Sequence, residues 1–370
     1  MQFLQFFRND NDPGSVPVAS AESQLTEQSV PSIATPRFSI AHWLRRGGML
    51  LAMLVFCSSC ARTIAALDAN PWKEVDLPVE TTVLDLAFTG DPNHGWIVGD
   101  NVTLLETKDG GDSWSQRELN LDEIRYRLTS VSFDGDEGWI VGQPSLMLHT
   151  DDGGATWSEV YLSAQLPGSP LMITALGPNA AELVTDQGAI YRTDDGGSNW
   201  KGLVQYGADT IINLARSEDG RYLAVAERGS FFSTYTPGDV AWVPHNRTSS
   251  RRLQNMGFGS DGRFWTLGRG GGIQFSESND YEDWAEYVSA EKRNNWGLLD
   301  LGYRTADEIW ASGGGGTLIV STDGGETWQK DDAVDKIPSN FYRVLFLNPE
   351  KGFVLGQRGI ILKYTGEDMA

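Results

Sequence analysis

The sequence predicts an all-β protein, a seven-bladed β-propeller whose ring is closed by its own N-terminal strand. Three observations lead there. Trp72, Trp114, Trp157, Trp200, Trp242, Trp284 and Trp328 stand at gaps of 42, 43, 43, 42, 42 and 44 residues. A fixed period of about 40–45 residues filled by short strands is the length of one propeller blade. A polar hairpin ending in tryptophan recurs at that period, and the last copy stops short of its hairpin, with the missing piece standing at the other end of the repeats.

From the N-terminus, residues 1–44 are polar and rich in Ser, Pro and Gln, and are expected to form a disordered extension. Arg45-Arg46, Gly47-Gly48 and an apolar run from Met49 to Cys57 follow, then Ser58-Ser59-Cys60-Ala61. A positive stretch, a short apolar run and small residues make a signal for export, and the run is too short to span a bilayer. Residues 45–60 are read as a signal peptide with a lipobox, and Cys60 is expected to carry the lipid. Cys57 stands three residues before Cys60, where Leu is usual, and cleavage near Ala65-Ala66 to a soluble product is the alternative. Residues 61–69 read as a linker, and 70–367 as the propeller.

Each repeat reads as four strands. An alternating apolar strand such as Val83–Phe88 comes first, then a polar turn such as Asp91–His94. The second strand, Gly95-Trp96-Ile97-Val98-Gly99, recurs unchanged as Gly138–Gly142, and copies begin near Leu183, Leu223, Trp265, Trp310 and Phe353. A third strand follows a short loop and runs into the hairpin Asp109-Gly110-Gly111-Asp112-Ser113-Trp114. The hairpin returns at Asp152–Trp157, Asp195–Trp200 and Asp323–Trp328, and decays in the units ending at Trp242 and Trp284. After Ile360–Tyr364 no hairpin follows; Pro71-Trp72-Lys73-Glu74-Val75 is expected to supply that fourth strand and leave no open edge.

The pattern Ser/Thr-x-Asp-x-Gly-x-Thr-Trp resembles the Asp-box of sialidases and other propellers. Its chemistry is local. The carboxylates of Asp109, Asp152, Asp195 and Asp323 can accept backbone N–H groups within the turn, glycine supplies a positive φ, and Trp114, Trp157, Trp200 and Trp328 are expected to pack on the strand. These aspartates are therefore read as structural. A glycoside hydrolase or glycan-binding propeller is the alternative. Hydrolysis would need two carboxylates across a cleft, and the loop acids Asp100, Asp122, Glu123, Asp186, Glu227 and Glu291 show no diagnostic pattern. No catalytic residue, cofactor or metal site is expected, since the four histidines are scattered without ligand spacing.

A formal charge of −21 argues against nucleic acid and favours a monomer kept apart by repulsion. The two cysteines, Cys57 and Cys60, lie in the leader, so no disulfide ties the repeats. Arginine outnumbers lysine 21 to 8, and a planar fork suits the gripping of carboxylates. In a four-stranded blade, the loops between second and third strands share a face with the blade-to-blade links. Arg228, Arg269 and Arg358 fall in such loops. Arg125, Arg127, Arg247, Arg251, Arg252, Arg293 and Arg343 fall in or beside the links. Ten of the 17 arginines in residues 61–370 thus sort to one face. Pairing with acids such as Glu227 and Glu291 is one reading; a docking face for an acidic partner is the other.

Together the Asp-box-like units, Asn70-Pro71-Trp72, the repeated Gly-Trp-Ile-Val-Gly and the arginine-rich loops resemble the photosystem II stability and assembly factor family of cyanobacteria and chloroplasts. Ser58-Ser59-Cys60 is similar to the lipobox of its cyanobacterial members. The resemblance implies a non-enzymatic chaperone anchored on the lumenal side of the thylakoid membrane. It would bind newly made D1, precursor included, and help it join D2 and cytochrome b559. The family's arginine patch would correspond to the ten arginines above, with Arg228, Arg251, Arg252 and Arg269 foremost. The 44-residue extension is a departure from the family.

Overall fold

Seven sheets, six of four strands and one of five, make up the described residues of the computed structural model, each built on four antiparallel strands. It describes residues 65–121, 125–205, 207, 209–246, 251–289 and 297–366. The predicted signal, Cys60, Arg247 and Arg293 lie outside these residues. Blades 1 to 6 begin with Val83–Phe88, Arg127–Asp134, Pro170–Gly177, Ile211–Arg216, Leu253–Phe258 and Leu298–Tyr303. Blade 7 takes three strands from the C-terminus, Phe341–Asn348, Lys351–Gly356 and Ile360–Tyr364. Its fourth is Trp72–Asp76, which pairs antiparallel with Ile360–Tyr364 from Trp72 opposite Tyr364 to Asp76 opposite Ile360. The predicted closure is therefore present.

The linker expectation needs correction in part. Ala65–Ala66 adds a parallel fifth strand to blade 6, opposite Gln329 and Lys330, and the Leu67 N–H continues it to the Lys330 carbonyl at 2.7 Å. Leu67 packs on the apolar cluster between blades 6 and 7. This short apolar segment covers an otherwise open outer edge.

The core is distributed as seven apolar clusters, one at each junction between successive blades. The Gly-Trp-Ile-Val-Gly strands are buried throughout because both faces meet a neighbouring blade. The hairpin tryptophans do more than pack on their own strand, as the sequence alone indicated. Trp157 of blade 2 meets Trp96 of blade 1 edge-on at 5.8 Å, Trp200 meets Trp139 at 6.0 Å, and Trp72 meets Trp310 at 5.2 Å. Each is thus a bolt between blades, and their even spacing reflects one bolt per junction.

The Asp-box hydrogen bonds repeat almost atom for atom. In blade 2 the Thr150 hydroxyl donates to Asp152 at 2.6 Å and accepts from the Gly154 N–H at 3.0 Å, while Thr156 donates through both N–H and hydroxyl to Asp152. Those donors, the Thr150 hydroxyl foremost, hold the Asp152 carboxyl at about 2. The Ser113 hydroxyl lowers Asp109, and the Asn199 amide lowers Asp195. At Asp323 burial opposes ionisation, but Thr327 and Ser321 outweigh it. These carboxylates are committed to their turns. The second glycine is pressed against the adjacent blade: a Cβ on Gly154, at φ +90°, would lie 2.5 Å from the Trp96 ring. Gly154→Ala is expected to cost about 2–4 kcal/mol from backbone strain and overpacking, read as a lowered urea midpoint.

Two layers of first-strand residues face the central axis. Every first strand carries a register shift at its second residue, or its third in blade 2, so that Leu84, Thr129, Leu171, Ile212, Gln254, Leu299 and Tyr342 are bulged at equivalent positions. One bulge per blade re-aims a side chain and adds twist. The next residues tie inner strands together. Asp85 accepts the Val131 N–H at 3.0 Å, Ser130 accepts the Ile173 N–H at 3.4 Å, Asn213 donates to the Gln254 carbonyl at 2.8 Å, and Asp300 accepts from Val344 at 2.9 Å. Between blades 7 and 1, Arg343 meets Asp85 at 2.7 Å.

Asp300 is the costly member of this ring. Desolvation raises its carboxyl to about 6 against the pull of the Val344 N–H and Arg343. Its folded pKa lies above the unfolded value, so its contribution is fully present below about 3.8 and is lost as pH rises through about 6. The lowered Asp-box carboxyls act oppositely, losing their contribution as pH falls below about 4. Urea unfolding across pH 3–8 is expected to show greatest stability between these limits, with the decline toward pH 7 flattened in Asp300→Asn.

Candidate functional site

Backbone hydrogen bonds fix the face predicted for the arginines. The loops between second and third strands dock on the links to the next blade. Val102 donates to the Tyr126 carbonyl at 2.9 Å, Leu253 to Gly229 at 2.8 Å, and Gly359 to Thr81 at 2.8 Å. In blades 4 and 5 the docking is continuous, because the Arg269 N–H also donates to the Arg252 carbonyl at 2.8 Å. Arg228, next to Gly229, is thereby brought beside Arg252 and Arg269, three residues that are far apart along the chain. All three are exposed.

Charge pairing is uneven between the two faces. Arg117, Arg192, Arg216, Arg221, Arg263 and Arg304, on strands or at the opposite face, each pair with an acid: Glu106, Asp194, Glu182, Asp219, Asp261 and Glu308. Of the arginines sorted to the link face, Arg127 pairs with Asp100 at 3.0 Å. Arg251 lies over the Tyr287 ring, 5.0 Å from its centre. Among the described residues, Arg125, Arg228, Arg252, Arg269 and Arg358 form no ion pair. Glu227 makes no ion pair with them either. Exposed guanidinium groups without acid partners retain their full capacity for an incoming carboxylate.

Arg343 differs from the other arginines of this face. Its side chain lines the axial channel, where it pairs with Asp85 and donates to the Leu84 carbonyl at 3.5 Å. The pair joins blades 7 and 1, and the Arg343 side chain stays 38% exposed. Sequence position placed it beside a link, and nothing in the sequence marks the acid at the other end of the chain that claims it. Of the loop acids weighed for hydrolysis, Asp100 is held by Arg127 and Asp186 accepts the Ser169 N–H at 3.0 Å. Asp122, Glu123 and Glu291 lie outside the described residues.

The opening of the axial channel on this face is lined by residues that the sequence reading did not single out. Leu84, Leu299, Tyr342, Gln254, Asn340 and Gln357 contribute to it, together with Arg127. The bulges that aim Leu84, Gln254, Leu299 and Tyr342 depend on strand register and leave no residue-type signature.

Comparison with known proteins fits this geometry. A family model described as photosynthesis system II assembly factor YCF48 matches residues 64–365. The chain belongs to that family. It is 61% identical over 317 residues to the photosystem II assembly lipoprotein Ycf48 of Synechocystis sp., covering 86% of this chain and 92% of that protein. A solved structure of YCF48 bound to D1 peptide is 53% identical, with a TM-score of 0.80 over 82% of this chain and 99% of that one. YCF48 from Cyanidioschyzon merolae is 41% identical, with a TM-score of 0.76 over 80% and 99% of the two chains. The ring is thus matched by two solved members of the family.

Proposed function

We propose that this chain is a non-enzymatic photosystem II assembly and repair factor that binds newly made D1, precursor included, through the arginine face. The observation that carries the reading is electrostatic asymmetry. On a chain of formal charge −21, five described arginines of one face stand without acid partners, while six elsewhere are all paired. A rigid ring presents them preformed and loses little entropy on docking. A relative of 53% identity has been solved bound to D1 peptide, which supports D1 as the client.

The wider reading follows from the sequence. Cys60 carries a lipid that holds the monomeric propeller, residues 70–367, on the lumenal side of the thylakoid membrane, after removal of residues 1–59. One acyl chain anchors weakly, and the client supplies the second contact. D1 held in this way is presented to D2 and cytochrome b559. The test is a pull-down from photosynthetic membranes with the tagged protein. D1 and D2 are expected in the eluate, and their absence would refute the assembly role. Turnover of fluorogenic glycosides would instead establish the glycan-directed alternative.

A further inference from the structure

Four of the seven bulged positions of the collar around the channel, Leu84, Leu171, Ile212 and Leu299, are aliphatic, although the channel mouth is also lined by Thr82, Arg127, Asn213, Gln254, Asn340 and Gln357. Ile212 is 38% exposed, and Leu84 and Leu299 are only partly buried. None of these three belongs to any of the inter-blade clusters that hold the ring together. The residues one step further in, Asp85, Asn213 and Asp300 among them, are polar and occupied in tying inner strands to one another. Water filling the mouth would favour polar side chains in the collar as well. The side chains of Leu84, Ile212 and Leu299 therefore serve neither the blade junctions nor the ring of inner hydrogen bonds.

The polar groups at the mouth have capacity to spare. Asn340 donates to the Gln357 side-chain oxygen at 3.1 Å, leaving the Gln357 amide hydrogens without a partner among the described residues. The Gln254 side chain also forms no hydrogen bond among them; only its carbonyl is used, by Asn213. Amide donors beside an apolar surface suit the carbonyls of an extended chain whose side chain turns inward. The mouth is continuous with the arginine face. Arg252 immediately precedes the strand Leu253–Phe258 and stands two residues before Gln254, an extended reach of about 7 Å.

We propose that the channel mouth is an apolar subsite of the arginine face. It takes one aliphatic or aromatic side chain of the same extended peptide whose acidic residues the arginines hold. This rests on the docking reading above and adds a second determinant to it: the client segment carries a large apolar residue two or three positions from its acids. Arginines alone would accept any acidic chain, whereas the collar discriminates among them.

Two fluorescein-labelled acidic decapeptides, identical except for a central Phe or Ala, test this by anisotropy against the intact protein. The Phe peptide is expected to bind at least about tenfold more tightly, the scale of burying one aromatic side chain. Ile212→Gln with Leu299→Gln should erase that difference and leave the Ala peptide within about twofold. Neutral replacements avoid repelling an acidic ligand, and Leu84→Gln serves as a second variant if the pair lowers the melting temperature. Arg228→Glu with Arg252→Glu should weaken both peptides alike. Equal affinity of the two peptides for the unmodified protein, with both binding, overturns the subsite and leaves arginine docking intact. Binding of neither peptide overturns both. Capture of the uncharged dye or detergent by the collar with no Phe preference overturns the peptide assignment.

Discussion

Removal of residues 70–77 is expected to unfold the ring at temperatures where the full chain is intact. The segment supplies all five residues of blade 7's fourth strand, and without it Ile360–Tyr364 becomes an open edge. Trp72 and Val75 are buried, with Trp72 wedged against Trp310 and Tyr364 at 5.2 Å each. Loss of their burial alone costs about 5–8 kcal/mol, comparable with the whole stability of a typical domain. Because each blade is braced only by its neighbours, an opening at this seam exposes the clusters on both sides of blade 7. Trp72→Ala is the milder form, expected to cost about 3–5 kcal/mol. Far-ultraviolet circular dichroism during heating reads both. A deletion variant melting at the same temperature as the full chain would show that the ring is held closed by something else.

Charge reversal at Arg228, Arg252 and Arg269 is expected to abolish binding of acidic peptide while leaving the melting temperature within about 2 °C. The three side chains are exposed and make no ion pair among the described residues, so the fold loses no partner when they change. Each reversal replaces attraction by repulsion, and a combined loss of at least about a hundredfold follows from electrostatic complementarity of this kind. Affinity of the unmodified protein should fall as salt rises, since exposed charges are screened over about 10 Å at 0.1 M. The same reversals at Arg216, Arg263 and Arg304 would behave oppositely. Those guanidinium groups are paired with Glu182, Asp261 and Glu308, so stability would fall and peptide affinity would not. Retained affinity in the first triple variant would remove the docking face.

Much of the architecture was legible because it rests on local chemistry repeated in series. The Thr150-Asp152-Gly154-Trp157 turn can be recognised in isolation, since its bonds link residues at most four apart. Counting such turns and their decayed copies counts the blades, and the absent final hairpin points to the N-terminal strand. Other features required the ring. Leu84, Gln254 and Tyr342 share no residue type, yet occupy one bulge, because a bulge arises from how two strands pair. Arg343 and Asp85 come together only where the ends of the repeat array meet. Ala65–Ala66 looked like linker since two alanines carry no strand signal; the exposed edge of blade 6 recruits them.

The sequence by itself determined the number of blades, the chemistry of their turns and the strand that closes them, for these depend on contacts between neighbours along the chain. Which arginines remain available was decided only by the tertiary structure. A guanidinium group is neutralised or left open by whatever acid the closed ring brings within a few ångströms, and that distance has no counterpart in sequence separation.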